Sequence, residues 1–98
     1  MALKDNTLRG KLLSFLRELF PSGTDALTVV GIFYEYHHRD DILDALEYLS
    51  SKGYVERKSV PHPVRKLEKL TTYKINAAGI DLCDGTTSDP GITIVAED

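Results

Sequence analysis

The 98-residue sequence predicts a single α+β domain, because one strong helical pattern is followed directly by two strand patterns. Apolar residues recur at i, i+3, i+4 and i+7 between Ile42 and Leu49, which is typical of the buried stripe of a helix. Gly53 follows the last turn of this helix and can adopt the left-handed conformation that ends helices. Residues 54–58 and 70–76 are rich in β-forming residues, and we expect them to form the two strands of a hairpin.

A first helix is predicted after candidate N-terminal caps at residues 5–7, with an apolar pattern from Leu8 and its firm part at residues 11–20. Gly10 disfavours the turns before residue 11 by about 1 kcal/mol relative to alanine. Pro21 ends the helix, because proline cannot continue the backbone hydrogen-bond ladder. Apolar residues at helical spacing indicate that this helix belongs mainly to the core, and they are Leu8, Leu12, Phe15, Leu16, Leu19 and Phe20.

The segment from residue 26 to residue 36 allows two interpretations. Residues 26–28 form either a short strand or the approach to a second helix that Thr28 caps. Within residues 29–36, β-branched and aromatic residues favour a strand and Gly31 disfavours a helix. Helical spacing is nevertheless found at Val29, Ile32, Phe33 and Tyr36. We favour a helix, followed by a turn at His37 and His38 and a third helix that begins at residue 39 or 40.

Beyond the first hairpin strand, residues 59–63 contain two prolines and predict a stiff, irregular loop. After the return strand, Asn76 is the expected cap of a last helix at residues 77–84, which Gly85 closes. Ile80 and Cys83 are expected to face inward from this helix. Residues 86–90 read as a linker and residues 92–95 as a strand. We therefore divide the chain into a domain of residues 1–85 and an extension of residues 86–98.

Composition and charge limit the classes of protein that the chain can belong to. No apolar run approaches the roughly 20 residues of a membrane helix, and no signal-peptide pattern is present. The single cysteine, Cys83, cannot form an internal disulfide, so we expect a cytoplasmic protein with no membrane association. The net charge of −3 is unevenly distributed: residues 57–74 contain six bases and one acid and carry +5, which leaves −8 on the rest.

Two stretches resemble the winged helix-turn-helix domains of small bacterial, archaeal and phage regulators, such as the MarR, PadR and ArsR types. Residues 45–56 have their leucine-rich helix, glycine and apolar strand start, and residues 73–82 have their return strand entering a final helix through a capping residue and an inner glycine. The resemblance covers roughly residues 8–85. It implies a helix at residues 29–36 and a hairpin that serves as the wing.

The resemblance also implies a DNA-binding transcription regulator that acts as a dimer on double-stranded DNA. In such proteins the third helix enters the major groove and the wing contacts phosphates or the minor groove. The matching positions here are Arg39 and Tyr48 on the helix and, on the wing, Arg57, Lys58, His62, Arg65, Lys66 and Lys69. Helix one or residues 92–95 are the candidates for a dimer contact.

The third helix departs from this pattern, because its solvent face is acidic. Asp40, Asp41, Asp44 and Glu47 would lie beside phosphates and be repelled by them. The alternative function is therefore a protein–protein interaction module whose acidic third helix binds a basic partner, for example the wing of a second copy, and which does not bind DNA.

Other kinds of site find little support in the sequence. No nucleophile elbow, phosphate loop or pair of carboxylates in a cleft is recognisable, so we expect neither catalysis nor a cofactor. His37 and His38 are adjacent and point apart, and neither they nor His62 has a spaced cysteine partner, so no metal site is expected. Cys83 is expected to be a small buried hydrophobe, and the tyrosines are expected at the edges of the core rather than as base-stacking residues.

Overall fold

A computed structural model describes the backbone of residues 3–95 and the side chains of residues 5–95. Within these residues the fold is α+β, with four helices and one three-stranded antiparallel sheet of order β1-β3-β2. The α+β class predicted from the sequence is confirmed. The elements in chain order are α1 (Leu3–Leu19), β1 (Thr24–Asp25), α2 (Ala26–Phe33), α3 (Arg39–Ser51), β2 (Val55–Pro61), β3 (Lys69–Ile75) and α4 (Ala77–Cys83).

Helix α1 begins at Leu3, so the expected cap at residues 5–7 was wrong, and the turns before residue 11 that Gly10 was expected to weaken are helical. The reason lies at Gly10, where the carbonyl oxygen of Thr93 approaches the backbone closely enough to occupy the position of a Cβ. Glycine is required there by packing, and the packing offsets its low helix propensity. Leu8, Leu12 and Leu16 lie on the buried side of the helix.

Helix α2 confirms the helical interpretation of residues 29–36 as far as Phe33, whereas residues 34–36 belong to the following turn. Both interpretations of residues 26–28 were wrong, because β1 lies at Thr24–Asp25 and the helix begins at Ala26. Its cap is Asp25, whose carboxylate accepts hydrogen bonds from the Thr28 amide at 3.1 Å and the Thr28 hydroxyl at 2.7 Å. The hydroxyl interaction is the first cause of a lowered pKa of Asp25.

Helix α3 and helix α4 agree closely with the predicted patterns. Arg39 begins α3, the predicted apolar stripe of α3 is buried, and Gly53 has a φ of +83°. The side chain of Asn76 caps α4 by accepting a hydrogen bond from the Gly79 amide at 3.0 Å. The residues of α4 that are fully buried are Gly79 and Leu82, whereas the predicted inward pair of Ile80 and Cys83 is only half-buried.

Strands β2 and β3 form a long hairpin, paired from Val55↔Ile75 to Pro61↔Lys69. The predicted break at residues 59–63 was wrong for residues 59–61, which continue the strand. Because β2 is an edge strand of the sheet, it tolerates Pro61 at its end. The hairpin tip is the loop of residues 62–68.

The core lies between α1, α3, the sheet and α4, and it extends to the segment after α4. Residues 92–95, which the sequence predicted as a strand, form none: the Thr93 amide donates instead to the Asn6 carbonyl of α1 at 3.1 Å. Ile92 joins the buried cluster, whose largest fully buried side chains are Leu12, Leu13, Leu16, Val29, Ile42, Leu46, Leu49 and Ile75. No helix within residues 3–95 is long and apolar enough to cross a membrane.

Asp89 attaches the segment after α4 to the junction of α3 and β2. Its carboxylate, only 5% exposed, accepts hydrogen bonds from the Tyr54 hydroxyl at 2.6 Å and the Gly91 amide at 2.8 Å, and pairs with Lys52 at 3.2 Å. The Tyr54 hydroxyl first, then the Gly91 amide and Lys52, hold the pKa of Asp89 below its ordinary value. The same hydrogen bond raises the pKa of Tyr54 to about 12.

Alanine at Gly10 and at Gly31 is expected to change stability in opposite directions. A Cβ at Gly10 would collide with the backbone of Thr93, so Gly10→Ala should lower the free energy of unfolding by about 1–3 kcal/mol. A Cβ at Gly31, inside α2, meets nothing within 4 Å, so Gly31→Ala should raise that free energy by about 0.5–1 kcal/mol. Urea denaturation measures both changes, and equal changes would contradict the close approach of Thr93 to α1.

Asp89→Asn is expected to lower the free energy of unfolding by about 1–3 kcal/mol at pH 7, because a buried, charged acceptor is lost. An acid whose pKa is lowered by folding stabilises the protein above its unfolded pKa, and this contribution disappears as the pH falls through the folded pKa. The difference between wild type and variant should therefore shrink below about pH 4. Asp81→Asn, at an exposed acid of α4, is the control. A difference that is independent of pH would contradict the role of the Asp89 charge.

Candidate functional site

The four carboxylates of α3 are distributed over two sides of the helix. Successive residues turn by about 100°, so Asp40, Asp44 and Glu47 share one ridge, and all three are exposed. Asp41 lies further round the helix, is half-buried, and lines a hollow between α1 and α3 that also contains Arg9. Asp44 reaches the edge of the same hollow. Asp41 is therefore not part of the exposed acidic surface of α3, which contains three carboxylates rather than the four that the sequence suggests.

Glu47 and Arg57 bind each other across α3 and the hairpin. Their side chains are about half exposed and form an ion pair at 3.2 Å, from the Arg57 Nε to the Glu47 Oε1. The hydroxyl of the buried Tyr73 donates to the same oxygen at 3.0 Å. Burial first, and then this hydrogen bond, raise the pKa of Tyr73 to about 12. Glu47, which was predicted for protein interaction, and Arg57, which was predicted for DNA binding, therefore neutralise each other's charge.

The register of the hairpin separates its bases onto two faces. Arg57 is opposite the buried Tyr73 and lies on the face toward α3. Lys58 and Lys74 lie on the other face, because side chains alternate along a strand. Lys74 was not among the predicted site residues, although the alternation of β3 was sufficient to place it beside Lys58. Glu56 is directly opposite Lys74 and reduces the net charge of that face.

At the hairpin tip His62 has a structural role. Its Nδ1 accepts hydrogen bonds from the backbone amides of Val64 at 3.1 Å and Arg65 at 3.0 Å. The Arg65 guanidinium pairs with Glu68 at 3.3 Å. Lys66, the next base of the tip, is exposed.

Arg39 and Lys69 converge, although they come from different elements. Both line one hollow whose apolar members are Ala26 and Leu27 of α2, Leu43 of α3 and Leu70 of β3. No acidic residue lines this hollow. The first residue of α3 and the first residue of β3 therefore present two positive charges on one side of the molecule.

Tyr48 is not part of that arrangement. It follows Arg39 by two and a half helical turns and so lies on the opposite side of α3. The guanidinium of Arg9 covers its ring, 3.6 Å from the ring centroid, and its hydroxyl contacts Gly91. Arg9 also donates to the Gly91 carbonyl at 3.2 Å. The side chain of Tyr48 fastens the segment after α4 to α3.

Most bases outside the hairpin are already engaged. Within residues 5–95, ion pairs involve Arg17, Lys52, Arg57 and Arg65, and Arg9 covers Tyr48. Lys11 on α1 is exposed and has no ion pair among these residues. The remaining bases without an ion pair in this range all belong to the hairpin or the start of α3, and we call them the free bases: Arg39, Lys58, Lys66, Lys69 and Lys74.

The sequence raised two further kinds of site, a metal site at the histidines and a redox site at Cys83. Among the side chains of residues 5–95, no three His, Cys, Asp or Glu residues are grouped closely enough to hold a metal ion. His37 is half-buried and His38 is exposed at the start of α3. Burial raises the pKa of the half-buried thiol of Cys83.

No protein-family model, curated protein or solved structure matches this chain. The function has to be argued from the charges and surfaces of the chain itself.

The Glu47–Arg57 pair is expected to contribute about 0.2–1 kcal/mol to the free energy of unfolding, because both side chains are about half exposed. A double-mutant cycle with Glu47→Ala and Arg57→Ala measures this coupling free energy. It should diminish at high salt, since solvent ions screen an exposed pair. A coupling of zero at low salt would contradict the pairing.

Proposed function

We propose that the chain is a winged helix-turn-helix domain that binds double-stranded DNA, mainly through the wing, and acts as a small non-enzymatic transcription regulator. Three observations support the assignment of the fold. The order of the elements is that of a winged helix, the short β1 pairs with the return strand, and the β2–β3 hairpin follows α3 directly. In this assignment α3 is the third helix and the hairpin is the wing.

The distribution of the free bases carries the proposal. Within residues 5–95 the acidic chain pairs or covers five of its eleven bases, and five of the six that remain lie at the wing and the adjacent start of α3. Phosphate recognition requires positive side chains that are not neutralised by neighbouring carboxylates. Arg39, Lys66 and Lys69 lie at the tip and on the α3 side of the wing, so one duplex can contact all three.

The helix α3 contributes less than it would in a groove-reading regulator. Glu47 is compensated by Arg57, which removes one source of repulsion. Asp40 and Asp44 remain on the outer ridge and oppose deep insertion between two phosphate backbones. The proposed contact is therefore directed at the backbone, with weak dependence on base sequence and strong dependence on salt.

Lys66→Ala and Lys69→Ala are each expected to weaken binding to a labelled mixed-sequence duplex. Fluorescence anisotropy at several salt concentrations should give a wild-type slope of log affinity against log salt of about −3, because three phosphates are neutralised. Each substitution should flatten the slope by about 0.9, because one phosphate contact is lost. Lys11→Ala removes an exposed base of α1 and is the matched control.

Two results would contradict the proposal. One is the absence of binding even at low salt. The other is an equal loss in Lys11→Ala and in the wing variants, which would indicate attraction to the whole surface rather than to the wing.

The second candidate function is a protein-interaction module that does not bind DNA. The ridge formed by Asp40 and Asp44 favours it, because these two acids are exposed and have no ion pair within residues 5–95. Helix α2 and the turn after it also expose large apolar side chains, and exposed apolar side chains that group together are typical of interaction surfaces. If the duplex does not bind at low salt, this second function is the one that the surface supports.

A further inference from the structure

Two separate surfaces of the chain combine exposed apolar side chains with charges of opposite sign. The first surrounds the turn between α2 and α3, and we call it the α2–α3 face: Ile32, Tyr34, Glu35, Tyr36, Asp40 and Asp44. The second is the wing tip: Val64, Lys66, Leu67 and Lys69. All of these residues are exposed in the chain by itself, the apolar ones from Ile32 at 50% to Leu67 at full exposure.

The apolar members of the two surfaces are unusually open to solvent. Tyr36 is 81% exposed on the α2–α3 face, and Val64 is 80% exposed at the wing tip. Leu67 is fully exposed, so it packs against no other part of the described chain. Single exposed apolar residues are common, whereas their grouping at two places indicates surfaces that are covered by something.

The charges around these apolar residues are complementary. The α2–α3 face presents three carboxylates, from Glu35, Asp40 and Asp44, whereas the unpaired bases of the wing tip are Lys66 and Lys69, since Arg65 is paired with Glu68. An acidic apolar surface and a basic apolar surface on one chain fit each other. Leu67 is fully exposed, so this apolar side chain of the tip does not pack on the α2–α3 face of its own chain.

We infer that the wing tip of one copy docks on the α2–α3 face of a second copy, which makes a two-fold dimer. In such an arrangement each chain contributes its tip and its face once, so the contact occurs twice and closes. Apolar contact between Leu67 and the side chains around Tyr34 and Tyr36 supplies the burial, and the Lys–Asp charges orient the two chains. The dimer does not require DNA and, because it covers Lys66 and Lys69, it competes with the duplex for the wing.

Charge reversal in two complementary variants tests this dimer directly. The face variant is Asp40→Lys with Asp44→Lys, and the tip variant is Lys66→Glu with Lys69→Glu. Each variant alone opposes like charges at both contacts, so its self-association should weaken by at least about tenfold. In an equimolar mixture the basic tip of the face variant meets the acidic face of the tip variant, and the acidic tip meets the basic face. The mixture should therefore associate nearly as well as wild type.

Sedimentation velocity at low salt and without DNA is the measurement, and circular dichroism establishes that each variant is folded. Lys11→Glu with Asp81→Lys reverses two exposed charges outside both surfaces and should leave association unchanged. Leu67→Ser, which alters no charge, should weaken association as well. A monomeric wild type, association that persists in both variants, or a mixture that stays monomeric would each overturn the dimer. Because no DNA is present, none of these results depends on the outcome of the duplex titration.

Discussion

Burial of the apolar stripe of α3 determines the surface of this protein. Ile42, Leu46 and Leu49 are completely buried, and their contacts with α1 and the sheet fix the rotation of α3 about its axis. Once that rotation is fixed, Arg39 is directed toward the wing, Asp40 and Asp44 point outward, and Tyr48 faces the segment after α4. A helix rotated by one residue would bury an acid, so the core and the charge pattern depend on each other.

The β2–β3 hairpin obeys a second constraint, which is the two-residue period of its strands. The register of β2 and β3 directs Arg57 to Glu47 and directs Lys58 and Lys74 away from α3. The basic segment of residues 57–74 is therefore not a single patch. Its unpaired charges include Lys69, which lines a hollow with Arg39, and Lys66 at the tip, and these are the side chains that complement the acidic α2–α3 face. In the proposed function the same side chains serve the duplex and the second copy, so the inferred dimer would control access to DNA.

Local physical chemistry explains which features the sequence predicted. The stripe of α3, the left-handed Gly53 and the Asn76 cap depend on neighbouring residues, and all three are confirmed. The start of α1 depends on Thr93 at the other end of the chain, a distant contact that no local propensity contains. The features of the candidate site also divide into those that the sequence identified and those that depend on contacts between distant residues. The exposed bases Lys66 and Lys69 were identified from composition, whereas the pairing of Glu47 with Arg57 and the covering of Tyr48 by Arg9 are tertiary contacts.

A titration of isotopically labelled protein with a short duplex at low salt, followed through backbone amide chemical shifts, tests the central claim most directly. The account predicts that the largest shifts occur at residues 64–70 and near Arg39, and that the segment from Asp89 to Ile92 is unaffected. Shifts that spread evenly over α1, α4 and the wing, or the absence of any shift, would contradict binding through the wing.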